Sequence, residues 1–114
     1  MEEPVKSDKN YSILVTGGSG FLGQAIIKEL LVDTPLISAK EIRILDVKEY
    51  SDTNEPGITY IHGDVRDYES VDKASRGVDI IFHAAAIVDW GTHSANEVYD
   101  VNFTGTENVP NFNL

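Results

Sequence analysis

The sequence predicts an α/β fold, a doubly wound parallel sheet of about four strands in the order 3-2-1-4. Three observations carry it. Apolar runs of strand length alternate with stretches of helical spacing, as right-handed crossovers between parallel strands require. A glycine-rich stretch, TGGSGFLG from Thr16 to Gly23, separates the first apolar run from the first helical one. The last strand-like run, VDIIFH from Val78 to His83, is apolar enough to be buried on both faces, as strands between helix layers are.

Taken in order, residues 1–10 are polar and charged and include Pro4, which reads as a disordered lead-in. Tyr11 to Thr16 is a β-rich run bounded by glycine, the first strand. From Phe21 to Val32, apolar residues at 22, 25, 26, 27, 30 and 31 form a stripe at helical spacing, with Pro35 just beyond. Glu41 to Asp46 is the second strand, and Lys48 to Gly57, with Asp52, Asn54 and Pro56, is a loop. Ile58 to His62 is the third strand. Asp67 to Arg76 is a short helix closed by Gly77. Thr92 to Val109 carries apolar positions at 95, 98, 101 and 109 and reads as a final helix, which Pro110 ends.

Composition narrows the class. The 114 residues suffice for one domain with a real core, and 41% hydrophobic with 25% charged residues is the balance of a soluble globular protein. No apolar run is long enough to span a bilayer, and MEEPVKSDKN lacks the basic and apolar regions of a signal peptide, so a cytoplasmic location is expected. The absence of cysteine agrees with a reducing compartment. A net charge of −10, with nine cations scattered among nineteen acids, argues against nucleic acid as a partner. Without a secretory signal, the acceptor patterns at Asn10 and Asn102 are read as chance.

The chemistry begins at the glycines. A pyrophosphate needs backbone close by and the partial positive charge of a helix N-terminus, so side chains would be in the way. Two spacings overlap here, Gly18-x-Gly20-x-x-Gly23 and Gly17-x-x-Gly20-x-x-Gly23. In either, one glycine makes the tight turn, one admits the phosphates and one lets the helix approach the strand. The candidate phosphate-binding set is Gly17, Gly18, Ser19, Gly20, Phe21, Leu22 and Gly23. Asp46, closing the second strand, can accept both ribose hydroxyls of a dinucleotide and would repel a 2′-phosphate, which favours NAD over NADP, although Lys48 is near. Asp64 and the Val65 backbone follow the third strand, where they could meet an adenine amino group; a turn or N-cap aspartate is an equal reading of Asp64. Ala84, Ala85 and Ala86 would leave room for ribose and nicotinamide. His83 reads as a satisfied strand-end histidine, and His62 and His93 lack metal-ligand spacing, so no metal site is expected.

In order along the chain, TGGSGFLG, LDV at 45–47, GDVRD at 63–67, HAAA at 83–86 and VNFTGT at 101–106 resemble the motif series of the extended short-chain dehydrogenase/reductases. The likeness covers nearly the whole chain. HAAAIVDWG followed by VYDVNFTGTENV is most similar to the 3β-hydroxysteroid dehydrogenase/isomerase branch, while sugar-nucleotide epimerases and dihydroflavonol-type reductases share the other motifs.

The resemblance implies a Rossmann-type NAD(P)-binding half-domain over 11–109, a tail at 110–114 outside the family pattern, and hydride transfer between nicotinamide and a secondary alcohol or ketone. It makes Asn102 the helix asparagine whose backbone helps to hold a water in a proton relay. That relay would be completed by a Ser or Thr and a Tyr-x-x-x-Lys pair, the tyrosine acting as general acid and base. The tyrosines at 11, 50, 60, 68 and 99 are followed four residues on by Val15, Asn54, Asp64, Asp72 and Phe103, so the pair is missing from this sequence. The expectation is the NAD(P)-binding portion of an oxidoreductase, catalytically incomplete as it stands. Two alternatives remain: a non-catalytic nucleotide-binding or interaction module, self-associating through an exposed fourth strand, and a fragment of an epimerase or dihydroflavonol-type reductase.

Overall fold

The computed structural model describes residues 10–32, 37–50, 55–87 and 93–110. It contains β1 (Tyr11–Thr16), α1 (Phe21–Leu30), β2 (Ala39–Asp46), β3 (Ile58–His62), α2 (Tyr68–Ser75), β4 (Ile80–His83), α3 (Ala95–Tyr99), a π-helical turn (Asp100–Thr104) and α4 (Gly105–Asn108). The four strands are parallel and ordered β3-β2-β1-β4, as the sequence predicts.

Strand alternation sorts the core into two layers. Ile13 and Val15 of β1 and Ile42 and Ile44 of β2 face Ile27 and Leu30 of α1. Leu14 and Leu45 point the other way, toward Val71 and Ala74 of α2 and toward Val78. Each buried aliphatic side chain contributes about 1.5–3 kcal/mol relative to exposure, so opposite faces of one sheet hold α1 and α2 in place. Polar groups fix the ends. Asp67 caps α2 by accepting from the Glu69 N–H at 3.2 Å. Arg43 of β2 closes the other end by donating to the carbonyls of Ala74 and Arg76 at 3.0 and 2.6 Å. The Asp79 carboxylate accepts the Ser12 N–H at 2.8 Å and ties the start of β4 to β1.

Three expectations are corrected. The α1 stripe is narrower than its apolar residues suggest: Leu22 and Leu31 are 60% and 39% exposed and Ala25 is exposed, because the sheet covers only the Gly23, Ile27 and Leu30 side. The fourth strand starts at Ile80, and its residues are half-buried, not covered on both faces, since it is an edge paired only with β1. The last helical stretch starts at Ala95, after Ser94 accepts the Glu97 N–H at 3.1 Å, and widens into the π turn before α4. The readings made for residues 1–9, Pro35, Asp52, Asn54, 88–92 and 111–114 lie outside the described residues.

Candidate cofactor site

The C-terminal ends of the strands open on a groove of about 490 Å³, lined among others by Gly17, Gly20, Asp46, Asp64, Ala85 and Glu97. The glycine loop forms its base, and the geometry decides between the two overlapping spacings. Gly17 has φ +69°, and a Cβ there would stand 2.8 Å from the Ala85 backbone. It is the turn glycine. A Cβ on Gly23 would overlap the Gly17 carbonyl oxygen and stand 2.6 Å from Gly18 Cα, so Gly23 is what lets α1 meet the loop. Gly20 is open apart from the Gly17 oxygen at 3.3 Å, which leaves it as the glycine facing the groove. Gly18 instead packs on Ile44. The operative pattern is Gly17-x-x-Gly20-x-x-Gly23.

The N-terminus of α1 carries no side-chain cap and no acid in its first turn. Its leading N–H groups are therefore available to an anion. Phe21 and Leu22 turn their side chains outward, 96% and 60% exposed, and offer only backbone here. Ser19 is 2% exposed; its N–H donates to Asp46, its carbonyl accepts from Gln24 Nε2, and its hydroxyl has no partner among the described residues.

Asp46 is held by backbone. Its Oδ2 accepts the Ser19 N–H and its Oδ1 the Lys48 N–H, each at 3.0 Å. The carboxylate is thereby aimed at the loop, with further lone pairs open for hydroxyl donors. Asp64 is not the N-cap, a role taken by Asp67. It forms a turn by accepting the Arg66 N–H at 2.9 Å and pairs with the Arg66 guanidinium, which holds its carboxyl below the ordinary range. Val65 is buried behind it, and a Cβ on Gly105 would meet Val65 Cγ2 at 2.6 Å, so α4 lies directly on this loop. Asn108 reinforces the contact by donating to the carbonyls of Val65 and Arg66 at 2.9 and 3.1 Å.

Ala84, Ala85 and Ala86 continue β4 along the groove. Ala84 donates to the Thr16 carbonyl at 3.0 Å and Ala85 to the Thr16 hydroxyl at 3.3 Å. His83 is satisfied, as expected: Nδ1 lies 2.6 Å from Thr16 Oγ1 and Nε2 lies 2.9 Å from Thr106 Oγ1. Asn102 presents its side chain to the chain after β4, accepting the Ile87 N–H at 2.7 Å and donating to the Ile87 carbonyl at 2.8 Å; its own carbonyl accepts the Thr106 hydroxyl at 2.7 Å. Sequence reasoning missed Thr16, Thr106 and Asn108. The signal was present in the spacing of Asn102 and Thr106, four apart on one helical face.

The structure thus brings Gly17, Gly20, Asp46, Asp64, Val65 and Ala84 to Ala86 around one groove, leaves Gly18, Ser19, Phe21, Leu22 and Gly23 in the loop and helix start beside it, and joins Asn102 to Ile87 of its lining. The residues fit a dinucleotide: two glycines that admit no Cβ, an uncapped helix start, a buried hydroxyl without a partner and a carboxylate fixed beside them. Among the described residues no group of three or more His, Asp or Glu is placed to hold a metal ion, and no helix is long and apolar enough to cross a membrane.

Comparison with known proteins agrees with this geometry. Residues 14–112 match the model of the 3-beta hydroxysteroid dehydrogenase/isomerase family. The chain is 40% identical over 106 residues to a UDP-glucose 4-epimerase of Rickettsia bellii, covering 86% of this chain and 31% of that protein. It is 39% identical over 99 residues to the 3 beta-hydroxysteroid dehydrogenase/Delta 5-->4-isomerase of monkeypox virus, covering 83% and 28%. Among solved structures, the dTDP-glucose 4,6-dehydratase DesIV of Streptomyces venezuelae, determined with NAD bound, superposes with a TM-score of 0.72 at 31% identity, covering 86% of this chain and 34% of that one. The chain spans about a third of the length of these relatives. With its loop, sheet order and motif series in place, the chain belongs to the 3-beta hydroxysteroid dehydrogenase/isomerase family of extended short-chain dehydrogenase/reductases, of which it represents the N-terminal part.

Proposed function

We propose that this chain binds NAD, in preference to NADP, as the cofactor-binding portion of an oxidoreductase acting on a secondary alcohol or ketone of the 3β-hydroxysteroid or sterol type. The observation that carries the cofactor reading is the arrangement at the start of α1, where Gly17 and Gly23 exclude a Cβ and the Asp46 carboxylate accepts the Ser19 N–H. Gly17, Gly18, Ser19, Gly20, Phe21, Leu22 and Gly23 would hold the pyrophosphate by backbone. Asp46 would take the adenosine ribose, Asp64 and Val65 the adenine, and Ala84 to Ala86 the nicotinamide half. When bound, NAD supplies the hydride acceptor. Asn102 supports the wall after β4, and its backbone would join the relay. The Tyr-x-x-x-Lys pair is not in this sequence, so the chain is proposed to bind without turning over. A cytoplasmic location accords with the acidic, cysteine-free composition, and the half-exposed β4 edge is a candidate for self-association.

NAD at about one hundred times its dissociation constant should stabilise the folded chain by about 2.7 kcal/mol, read as a thermal shift. A folded chain that shows no shift in millimolar NAD would overturn the proposal. A second reading of the substrate, a nucleotide sugar, is favoured by the 40% identity to the Rickettsia epimerase. Binding of a 3β-hydroxysteroid or of UDP-glucose to the NAD-loaded chain, and turnover of either by any longer product of the same gene, separates the two. Turnover of neither, with NAD still bound, supports the non-catalytic module.

A further inference from the structure

Thr16 and His83 end β1 and β4 at paired positions in the sheet. Around them runs a chain of hydrogen bonds whose protons can be assigned. Each hydroxyl has one proton to give, and a backbone carbonyl can only accept. Thr106 gives its proton to the Asn102 carbonyl, so toward His83 it must accept, and Nε2 therefore carries the hydrogen. A neutral ring protonated at Nε2 has a bare Nδ1, which receives the Thr16 hydroxyl proton. Thr16 Oγ1 in turn accepts the Ala85 N–H. With this one tautomer all four contacts are donor-to-acceptor. Moving the ring proton to Nδ1 leaves Nε2 facing the Thr106 oxygen with no hydrogen between them.

Building on the reading that the groove holds a dinucleotide, we propose that His83 is a positioning residue of that groove: as the neutral Nε2–H tautomer it latches α4 to the ends of β1 and β4, and acid, by protonating Nδ1, breaks the Thr16 end of the latch and weakens dinucleotide binding. Three observations make the latch consequential. Thr16 is fully buried and His83 Nδ1 is the acceptor its hydroxyl uses, so if Nδ1 gains a proton the Thr16 hydroxyl must turn its own proton away from water and from that partner. Ala85, bonded to that hydroxyl, lies against Gly17, so a shift there reaches the turn of the glycine loop. Asn102, at the other end of the chain, holds Ile87 by both backbone groups. Among the described residues the hydrogen-bond partners of His83 are uncharged, Thr16 from β1 and Thr106 from α4. The charged groups that line the groove, Asp46, Lys48, Asp64, Arg66 and Glu97, and Asp100 and Glu107 beside the latch do not enter its titration, which burial pushes below the ordinary value of 6.5.

The test uses the 114-residue chain. Imidazole ¹⁵N shifts of His83 at pH 8 should show protonated Nε2 and bare Nδ1. NAD affinity, measured by calorimetry from pH 8 down to 5.5, should fall by up to about tenfold for each pH unit below the titration point of His83. His83→Gln should bind more weakly at pH 8 and lose the slope. Thr106→Val, which cuts the latch and leaves the ring, should lower affinity severalfold at pH 8 and serves if the glutamine variant does not fold. A ring protonated at Nδ1, an affinity flat in pH, a slope that persists in His83→Gln and so belongs to His62 or His93, or wild-type affinity in Thr106→Val would each overturn the latch. If the chain binds no NAD at any pH, the dinucleotide reading fails instead, and the latch is judged by the tautomer and by whether the acid-induced fall in Tm disappears in His83→Gln.

Discussion

The two walls of the groove are built by different physics. On the β1–α1–β2 side, Ile13, Val15, Ile27 and Ile44 are fully buried, and the glycine loop is closed on itself by backbone contacts too tight for a Cβ. On the β4–α4 side, every β4 residue is half exposed, and from α3 to α4 only Gly105 is buried. That wall rests partly buried Ile81, Val101 and Val109 on the Leu14–Val65 layer and adds the polar side chains of His83, Asn102, Thr106 and Asn108. Apolar burial is insensitive to protonation and to small movements of ligand, whereas hydrogen bonds to backbone are directional and can be exchanged with water. One wall therefore fixes where a ligand sits, and the other can adjust to it.

If that division holds, the largest losses of stability come from the apolar wall. Ile44→Ala should cost about 2–5 kcal/mol through lost burial and the cavity left behind. Gly23→Ala, which forces α1 away from the Gly17 carbonyl, should cost about 1–3 kcal/mol. Both are read from urea denaturation midpoints at unchanged slope. On the polar wall, Asn102→Ala strands the Ile87 N–H and carbonyl together and should cost about 1–3 kcal/mol. A loss from Asn102→Ala larger than that from Ile44→Ala would reverse the comparison.

Most of the fold was legible because it is written in short-range pattern. β1 falls on the run Tyr11–Thr16, since burial between helix layers leaves a continuous apolar signal, and the edge strand β3 falls on Ile58–His62, whose β-branched and aromatic residues stand between Gly57 and Gly63. The loop could be read for its chemistry but not for which glycine does what, because that depends on Ala85, Ile44 and Gly17 meeting in space. The exposure of Leu22 and Leu31 was illegible for a related reason: apolar residues on a helix state a capacity for burial, and the width of the sheet decides how much is used. The π turn left no periodic trace, and the partners of Asp64 and His83 are set by tertiary contacts.

Acid should separate the two walls. The folded-state titration of His83 lies below 6.5, so as pH falls the unfolded chain takes up that proton first and is favoured by it. The stability contributed by neutral His83 is complete above 6.5 and lost as pH drops below it. The carboxyl of Asp64 is likewise lowered, by Arg66, and its contribution is present above its ordinary value of 3.8 and lost only as pH falls through and below that value. Melting curves between pH 8 and 5 should therefore show a first loss that His83→Gln removes, with Ile44→Ala shifting the whole profile down without changing its shape.

The smallest effect on the fold should come from Gly20→Ala. Its φ of −81° and ψ of 177° suit any residue, and a Cβ would meet only the Gly17 carbonyl oxygen at 3.3 Å, so stability should change by less than about 1 kcal/mol. The same methyl group would stand over the uncapped start of α1, where the proposed pyrophosphate must approach the backbone. Gly20→Ala should therefore melt within a few degrees of the parent chain and yet lose NAD affinity severalfold, the reverse of Gly23→Ala, whose damage is to the fold itself. Measuring both properties on both variants tests the assignment of glycine roles directly. A Gly20→Ala chain that binds NAD as tightly as its parent would mean that this glycine is not the one facing the ligand.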